Sequence, residues 1–221
     1  MNNPLIDLVL QTKVVAIVRG LESGIEPLAQ ALYEGGIRAV EVTFNQRQAE
    51  PYSATTEAIR AIRACMGEKM AVGAGTVITE RQAELAFAAG AQFIVSPDTN
   101  PNVIRKAKEL GMVTMPGALT PSEILAAHEA GADFVKIFPA GVLGAGYVKA
   151  ICAPINHVRL LAVGGVNENN AADFLKAGCA GVGVGGNLVN QQWIAQGQYE
   201  KITETARALC GAVQESGRTT K

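Results

Sequence analysis

The chain predicts an α/β protein folded as a (β/α)8 barrel of the TIM type, with a short extra helix before its first strand. Three observations carry that expectation: a repeated junction, the number of elements the junction joins, and a length of 221 residues. The junction is the end of a helical pattern, then a glycine suited to the left-handed position after a helix, then a short apolar run. It occurs at Glu34-Gly-Gly-Ile-Arg-Ala-Val-Glu-Val, Ala89-Gly-Ala-Gln-Phe-Ile-Val, Ala130-Gly-Ala-Asp-Phe-Val-Lys and Ala177-Gly-Cys-Ala-Gly-Val-Gly-Val, with a weaker copy at Glu109-Leu-Gly-Met-Val-Thr-Met. Helix, glycine and strand in repetition mean βα units around a parallel sheet.

Taken in order, the apolar runs predict strands at Val14–Val18, Ala39–Thr43, Ala71–Ala74, Phe93–Ser96, Val113–Met115, Phe134–Phe138, Arg159–Ala162 and Gly181–Val184. Helical patterns fall between them at 22–35, 52–66, 79–89, 101–110, 121–130, 144–153, 167–177 and 199–215, and a further helix at Pro4–Gln11 leads in. Thr79-Glu-Arg-Gln82, Thr120-Pro-Ser-Glu123 and Asn167-Glu-Asn-Asn170 read as helix starts, because a side-chain oxygen there can accept from the free first-turn N–H groups. Eight strands and eight helices in this length suit a closed barrel. A doubly wound open sheet is the alternative, but nothing marks the point where its crossovers would reverse. No linker or charge block divides residues 1–221, so one domain is expected, ending in a polar tail at 215–221.

Apolar residues make up 48% of the chain and charged ones 18%, which is ample for a large core. A net charge of −1 gives no electrostatic case for nucleic acid or an acidic membrane as partner. Cys65, Cys152, Cys179 and Cys210 are scattered without a CxxC pair, as reduced thiols of a cytoplasmic protein would be. The first twelve residues carry Asp7 and lack a basic start, so no signal peptide is expected, and no apolar run approaches membrane-spanning length. His128 and His157 share no ligand-spaced cluster, and no metal or other cofactor is expected.

Barrel enzymes place their chemistry at the C-terminal ends of the strands. The residues there are Arg19-Gly20, then Glu41 and Thr43, Gly73-Ala-Gly-Thr76, Ser96-Pro97, Met115-Pro-Gly117, Lys136, Gly164-Gly165 and Gly185-Gly186-Asn187. Lys136 stands alone in Phe134-Val-Lys-Ile-Phe-Pro-Ala140, an otherwise apolar strand. Burial disfavours its charged form, and a neutral amine is a nucleophile. The ordinary alternative is a lysine whose head reaches solvent past Pro139, and Glu41, Arg19 and the glycines each have a structural alternative too. Their arrival at one barrel end argues for function. Gly164-Gly165 and Gly185-Gly186 follow the last two strands, where bare backbone N–H groups suit a phosphate.

The chemistry closes on these residues. An amine attacks a ketone to form an imine, and the protonated imine draws electrons from a C–C bond as it breaks. A base must take the proton from the hydroxyl on the far carbon, and Glu41 is the strand-borne carboxylate placed for it. Arg19 and Thr76 can hold a carboxylate beside the ketone, and the glycine turns a phosphate. The substrate is then a phosphorylated 2-keto acid with a hydroxyl on C4.

Glu41-Val-Thr, Gly73-Ala-Gly-Thr-Val77, Ser96-Pro97, Met115-Pro-Gly117, Phe134-Val-Lys-Ile-Phe-Pro-Ala140 and Val163-Gly-Gly-Val166 resemble the 2-keto-3-deoxy-6-phosphogluconate (KDPG) / 4-hydroxy-2-oxoglutarate (KHG) aldolase family, including the 6-phosphogalactonate (KDPGal) enzymes. The resemblance runs in order from Val14 to about Ala212. It implies a class I, metal-free aldolase that assembles as a homotrimer. It makes Lys136 the imine-forming residue, Glu41 the acid/base acting through a water, and Thr76 with an arginine the carboxylate clamp. Thr43, Pro97 and Phe138 belong to the pocket, and Gly164, Gly165, Gly185 and Gly186 to the phosphate site. The products are pyruvate and glyceraldehyde 3-phosphate, with KDPG the first choice of substrate and KDPGal or 4-hydroxy-2-oxoglutarate the alternatives. Two positions depart from some members: the arginine is Arg19 where those members carry one after Glu41-Val-Thr, and Gly186 stands where members can have serine. Functions of other classes stay open at this point, namely a sugar-phosphate isomerase or epimerase and a non-catalytic sugar-phosphate-binding barrel.

Overall fold

The computed structural model describes residues 3–20 and 23–218. Nine parallel strand segments form one sheet: β1 Val14–Val18, β2 Ala39–Thr43, β3 Ala71–Gly75, β4 Phe93–Val95, β5 Val113–Met115, β6 Gly117–Ala118, β7 Val135–Ile137, β8 Leu160–Val163 and β9 Gly181–Val184. The sheet order is β5-β4-β3-β2-β1-β9-β8-β7-β6. β5 is the predicted fifth strand, and β6 is a further two-residue segment that was not predicted, set off from β5 by Pro116, which has no N–H to give a ladder. β5 pairs with β4 and β6 with β7. Bonds from Phe134 N to Thr114 O (3.1 Å), Lys136 N to Pro116 O (2.8 Å) and Phe138 N to Ala118 O (3.1 Å) join the two edges into a barrel.

The helices are α1 Pro4–Thr12, α2 Ile25–Glu34, α3 Ser53–Met66, α4 Glu80–Ala88, α5 Pro101–Glu109, α6 Pro121–Glu129, α7 Ala140–Cys152, α8 Ala171–Lys176, α9 Gln191–Ala195 and α10 Tyr199–Arg218. Gly36, Gly90, Gly111, Gly131 and Gly178 all have positive φ, as the junction pattern requires. Thr120 and Glu123 form a full capping box on α6. The helices differ from expectation by more than one residue in five places, one of them α8, which begins at Ala171 where residue 167 was expected. The start of α2 was expected at residue 22, which lies outside the described residues; the helix begins at Ile25. α7 begins at Ala140, four residues early, because Gly144 (φ 77°) breaks it into a first turn and a main helix. α9 was not expected at all. α10 runs through Arg218, three residues past its expected end at 215 and into the expected polar tail, and residues 219–221 lie outside the described part.

Side chains alternate between the two faces of each strand, and this sorts the core into two layers. Val40, Val42, Val135 and Ile137 point outward against the helices. Ala39, Ala71, Phe93, Val113, Phe134 and Leu161 point into the barrel, where Leu5 and Val9 of α1 plug the end at which the strands begin. Each fully buried Val or Leu contributes about 1.5–3 kcal/mol. The register puts Glu41 beside Ile17 and Gly73, and Lys136 beside Gly117 and Leu161. Both charged residues therefore occupy inward positions, which explains how strands so apolar can carry them.

Candidate active site

A cavity of about 550 Å³ opens at the C-terminal ends of the strands. Arg19, Glu41, Thr76, Lys136, Phe138, Gly164, Gly165, Gly185 and Gly186 all line it. Of the expected site residues, Thr43 and Pro97 do not. Thr43 is buried below the rim, and its carbonyl accepts from Thr55 Oγ1 (3.2 Å). Pro97 packs its backbone against Gly117, where a Cβ would meet the Pro97 carbonyl at 2.4 Å. Ser96 is occupied structurally, its hydroxyl donating to Val77 O at 2.6 Å.

Glu41 and Lys136 form the floor. Glu41 is 3% exposed and Lys136 7%. Beneath them Val15, Val95, Met115, Leu161 and Val163 make an apolar seat without polar partners. Burial pushes the Glu41 carboxyl up to about 7, against the opposing pull of Lys136 and Arg19. Burial likewise pushes the Lys136 amine down, while Glu41 draws it up, Arg19 pushes it further down and Asp98 draws it up. Both groups are thus biased toward their neutral forms. Glu41 Oε2 is buried with no hydrogen-bond partner among the described residues. Lys136 Nζ lies 4.7 Å from the centre of the Phe138 ring.

The glycines of Gly73-Ala-Gly-Thr76 make room for this floor. A Cβ on Gly73 would lie 2.5 Å from the Phe93 ring, and one on Gly75 would lie 2.6 Å from Glu41 Oε1. At the rim, Gly164 and Gly165 have φ 88° and 77°, and Gly164 O accepts from Gly141 N at 2.7 Å. Side chains there would also collide: a Cβ on Gly141 would meet Gly164 O at 2.8 Å. Gly186 is different, with open space where a Cβ would be.

The expected helix start at Asn167–Asn170 serves this rim. Asn170 accepts from Asn167 N (2.8 Å) and donates through Nδ2 to Gly165 O (2.9 Å), and it caps nothing. Asn187, already among the strand-end residues, is joined at the mouth by a polar arm missed in the sequence, Asn190, Gln191 and Gln192 at the start of α9. Asn190 caps α9 by accepting from Gln192 N and Trp193 N, and that Asn-x-x pattern was the available signal. Gln191 Nε2 donates to Arg19 O at 3.0 Å, tying this arm to the end of β1. His128 and His157 do meet, edge to face at 5.1 Å, but on exposed positions that lead into the starts of β7 and β8, away from the cavity.

A (β/α)8 barrel with a buried amine and a buried carboxylate at one strand-end cavity belongs to the barrel enzymes that work on small carbonyl compounds. The comparisons narrow this class. The chain belongs to the KDPG and KHG aldolase family, matching its family model over residues 6–205, and is an aldolase, a carbon–carbon lyase. It is 37% identical over 211 residues to the 2-dehydro-3-deoxy-6-phosphogalactonate aldolase of Escherichia coli (strain K12), covering 93% of this chain and 98% of that protein. It is 41% identical over 179 residues to the 2-dehydro-3-deoxy-phosphogluconate aldolase of Treponema pallidum (strain Nichols), covering 80% and 81%. Among solved structures, the KDPG aldolase of Legionella pneumophila, with pyruvate captured at low pH as a covalent carbinolamine, superposes with a TM-score of 0.81 at 29% identity, covering 94% and 98%.

Proposed function

We propose that the chain cleaves a 2-keto-3-deoxy-6-phospho sugar acid to pyruvate and glyceraldehyde 3-phosphate through an imine on Lys136. The carrying observation is the buried Lys136 amine, biased to its neutral form, in one cavity with Glu41. The neutral Nζ attacks the C2 ketone, and loss of water leaves the protonated imine. Glu41, through a water, takes the proton of the C4 hydroxyl. The C3–C4 bond then breaks, its electrons passing to the imine carbon and nitrogen as an enamine, while the aldehyde departs. Glu41 returns the proton to C3, and hydrolysis frees pyruvate and the amine. Arg19 and Thr76 hold the carboxylate, and the backbone at Gly164, Gly165, Gly185 and Gly186 holds the phosphate.

On the C4 epimer, the KDPG preference of the sequence reading has a competitor in the galactonate series. One observation supports the latter: Arg19 lines the cavity, and an arginine at the end of the first strand is a placement that resembles the phosphogalactonate enzymes among other members. Steady-state rates on the two epimers and on 4-hydroxy-2-oxoglutarate rank these readings. The assembly we propose is a homotrimer, supported by apolar side chains left at the surface beside the cavity, Val142 (81% exposed), Leu143 and Leu119. Sedimentation at the mass of one 23.1 kDa chain would refute it.

Borohydride reduction with pyruvate tests the mechanism. The expected result is a reduced pyruvyl adduct mapped to Lys136, absent in Lys136→Arg along with turnover, since a guanidinium does not deprotonate to attack a ketone. An adduct on another residue, or an active Lys136→Arg protein, would overturn it.

A further inference from the structure

Thr76 holds a left-handed backbone, φ 55°, that side-chain-bearing residues adopt only where their surroundings enforce it. The rest of its turn is pinned. Val77 N donates to Val95 O (3.1 Å), and Val77 O accepts from Ser96 Oγ (2.6 Å). Ile78 N donates to Gln82 Oε1 (2.9 Å), and Thr79 Oγ1 caps Gln82 N (3.1 Å). Thr76 O itself accepts from Gln46 Nε2 at 2.8 Å, across from the β2–α3 loop. Gln46 Oε1 in turn accepts from Gln82 Nε2 at 2.8 Å, and Gln82 is 1% exposed.

We infer that Gln46 and Gln82 are positioning residues that fix Thr76 for the substrate's carboxylate, an inference that rests on the role proposed above for Thr76. A glutamine amide has one accepting end and one donating end. The Ile78 N–H, a donor, forces Gln82 to present its oxygen there, so its NH2 faces Gln46. Gln46 must then offer its oxygen to Gln82 and its NH2 to Thr76 O. The relay has one polarity, and it runs from the first turn of α4 to the one residue among 75–79, Thr76, that lines the cavity. A glutamate at position 82 would keep the bond from Ile78 N but face Gln46 with a second acceptor, turning the Gln46 amide and setting its oxygen against Thr76 O.

The same two segments meet a second time at the Arg81–Glu50 ion pair (2.6 Å), with both side chains half-exposed. That pair anchors the loop without touching Thr76, and so provides a control. Pyruvate-dependent borohydride trapping of Lys136 is measured in Gln46→Met, Gln82→Glu and Arg81→Met. The pyruvate concentration for half-maximal trapping is expected to rise about tenfold in Gln46→Met and Gln82→Glu, as for a lost hydrogen bond, and to stay unchanged in Arg81→Met. Turnover at saturating substrate and inhibition by inorganic phosphate should stay near wild type in Gln46→Met, which separates a carboxylate effect from general loosening. A wild-type half-saturation in Gln46→Met, or an equal loss in Arg81→Met, overturns the relay alone. No adduct in the wild type sinks the imine reading and this inference with it. Gln46 is exposed, so its variant remains informative even where Gln82→Glu fails to fold.

Discussion

Lys136 and Glu41 are held by the sheet, whereas Arg19, Thr76 and the first glycine turn are held by side chains reaching over from other segments. On the floor, strand register aims the two charged groups inward, and an apolar seat shifts both toward neutrality. On the rim, three backbone carbonyls each accept from a side-chain amide: Arg19 O from Gln191, Thr76 O from Gln46 and Gly165 O from Asn170. Amides carry no charge, so they fix the rim without disturbing the titration of the floor. Floor variants should therefore alter the chemical step and its pH dependence, and rim variants should alter substrate affinity.

The sharpest test of that division is Glu41→Gln. Removal of a general base slows turnover by about 10²–10⁴, and pyruvate adduct formation on Lys136 should stay measurable. The wild-type kcat/KM should rise with pH through about 7, where Glu41 loses its proton, and the variant should lack that limb. Stability moves the other way. The folded chain keeps at Glu41 a proton that the unfolded chain releases near 4.5, so this group's contribution is fully present below 4.5 and is lost as pH rises through about 7. A rise from 4.5 to about 7 is worth on the order of 3 kcal/mol, and neutral glutamine avoids the loss. Urea midpoints at pH 5 and 8.5 should fall apart in the variant's favour at the higher pH. Equal midpoints would mean that Glu41 is better solvated than its burial indicates.

The same division explains what could be read from the chain. A charge at an inward position of an apolar strand is costly, so Lys136 in Phe134–Phe138 and Glu41 in Ala39–Thr43 stand out without any structure. The glycine junctions announce the barrel because only a left-handed turn lets each helix give way to the next strand at once. Rim contacts leave no such mark. Gln46 and Gln82 are 36 residues apart and have no periodic signature, and Gln82 looked like half of a capping box until the structure gave its oxygen to Ile78 N. α9 is five residues long, too short for amphipathic periodicity, and the polar stretch hid its contribution to the cavity. Thr43 sits at a strand end as the barrel rule asks, yet its neighbours Gly75 and Thr55 enclose it, which position along a strand does not reveal.

The smallest effect is expected at the outer edge of the rim. Asn170→Ala removes the donor to Gly165 O and the acceptor for Asn167 N, both at a half-buried surface position. Loss of a bond of this kind corresponds to roughly a two- to tenfold weaker hold on whatever the Gly164-Gly165 turn binds. The KM for the phosphorylated substrate should rise by that factor, while kcat and the pyruvate concentration for half-maximal trapping stay at wild-type values, because pyruvate carries no phosphate. A fall in kcat as large as that of Glu41→Gln would show that the glycine turn positions the reacting carbons as well, and the separation of floor from rim would not hold there.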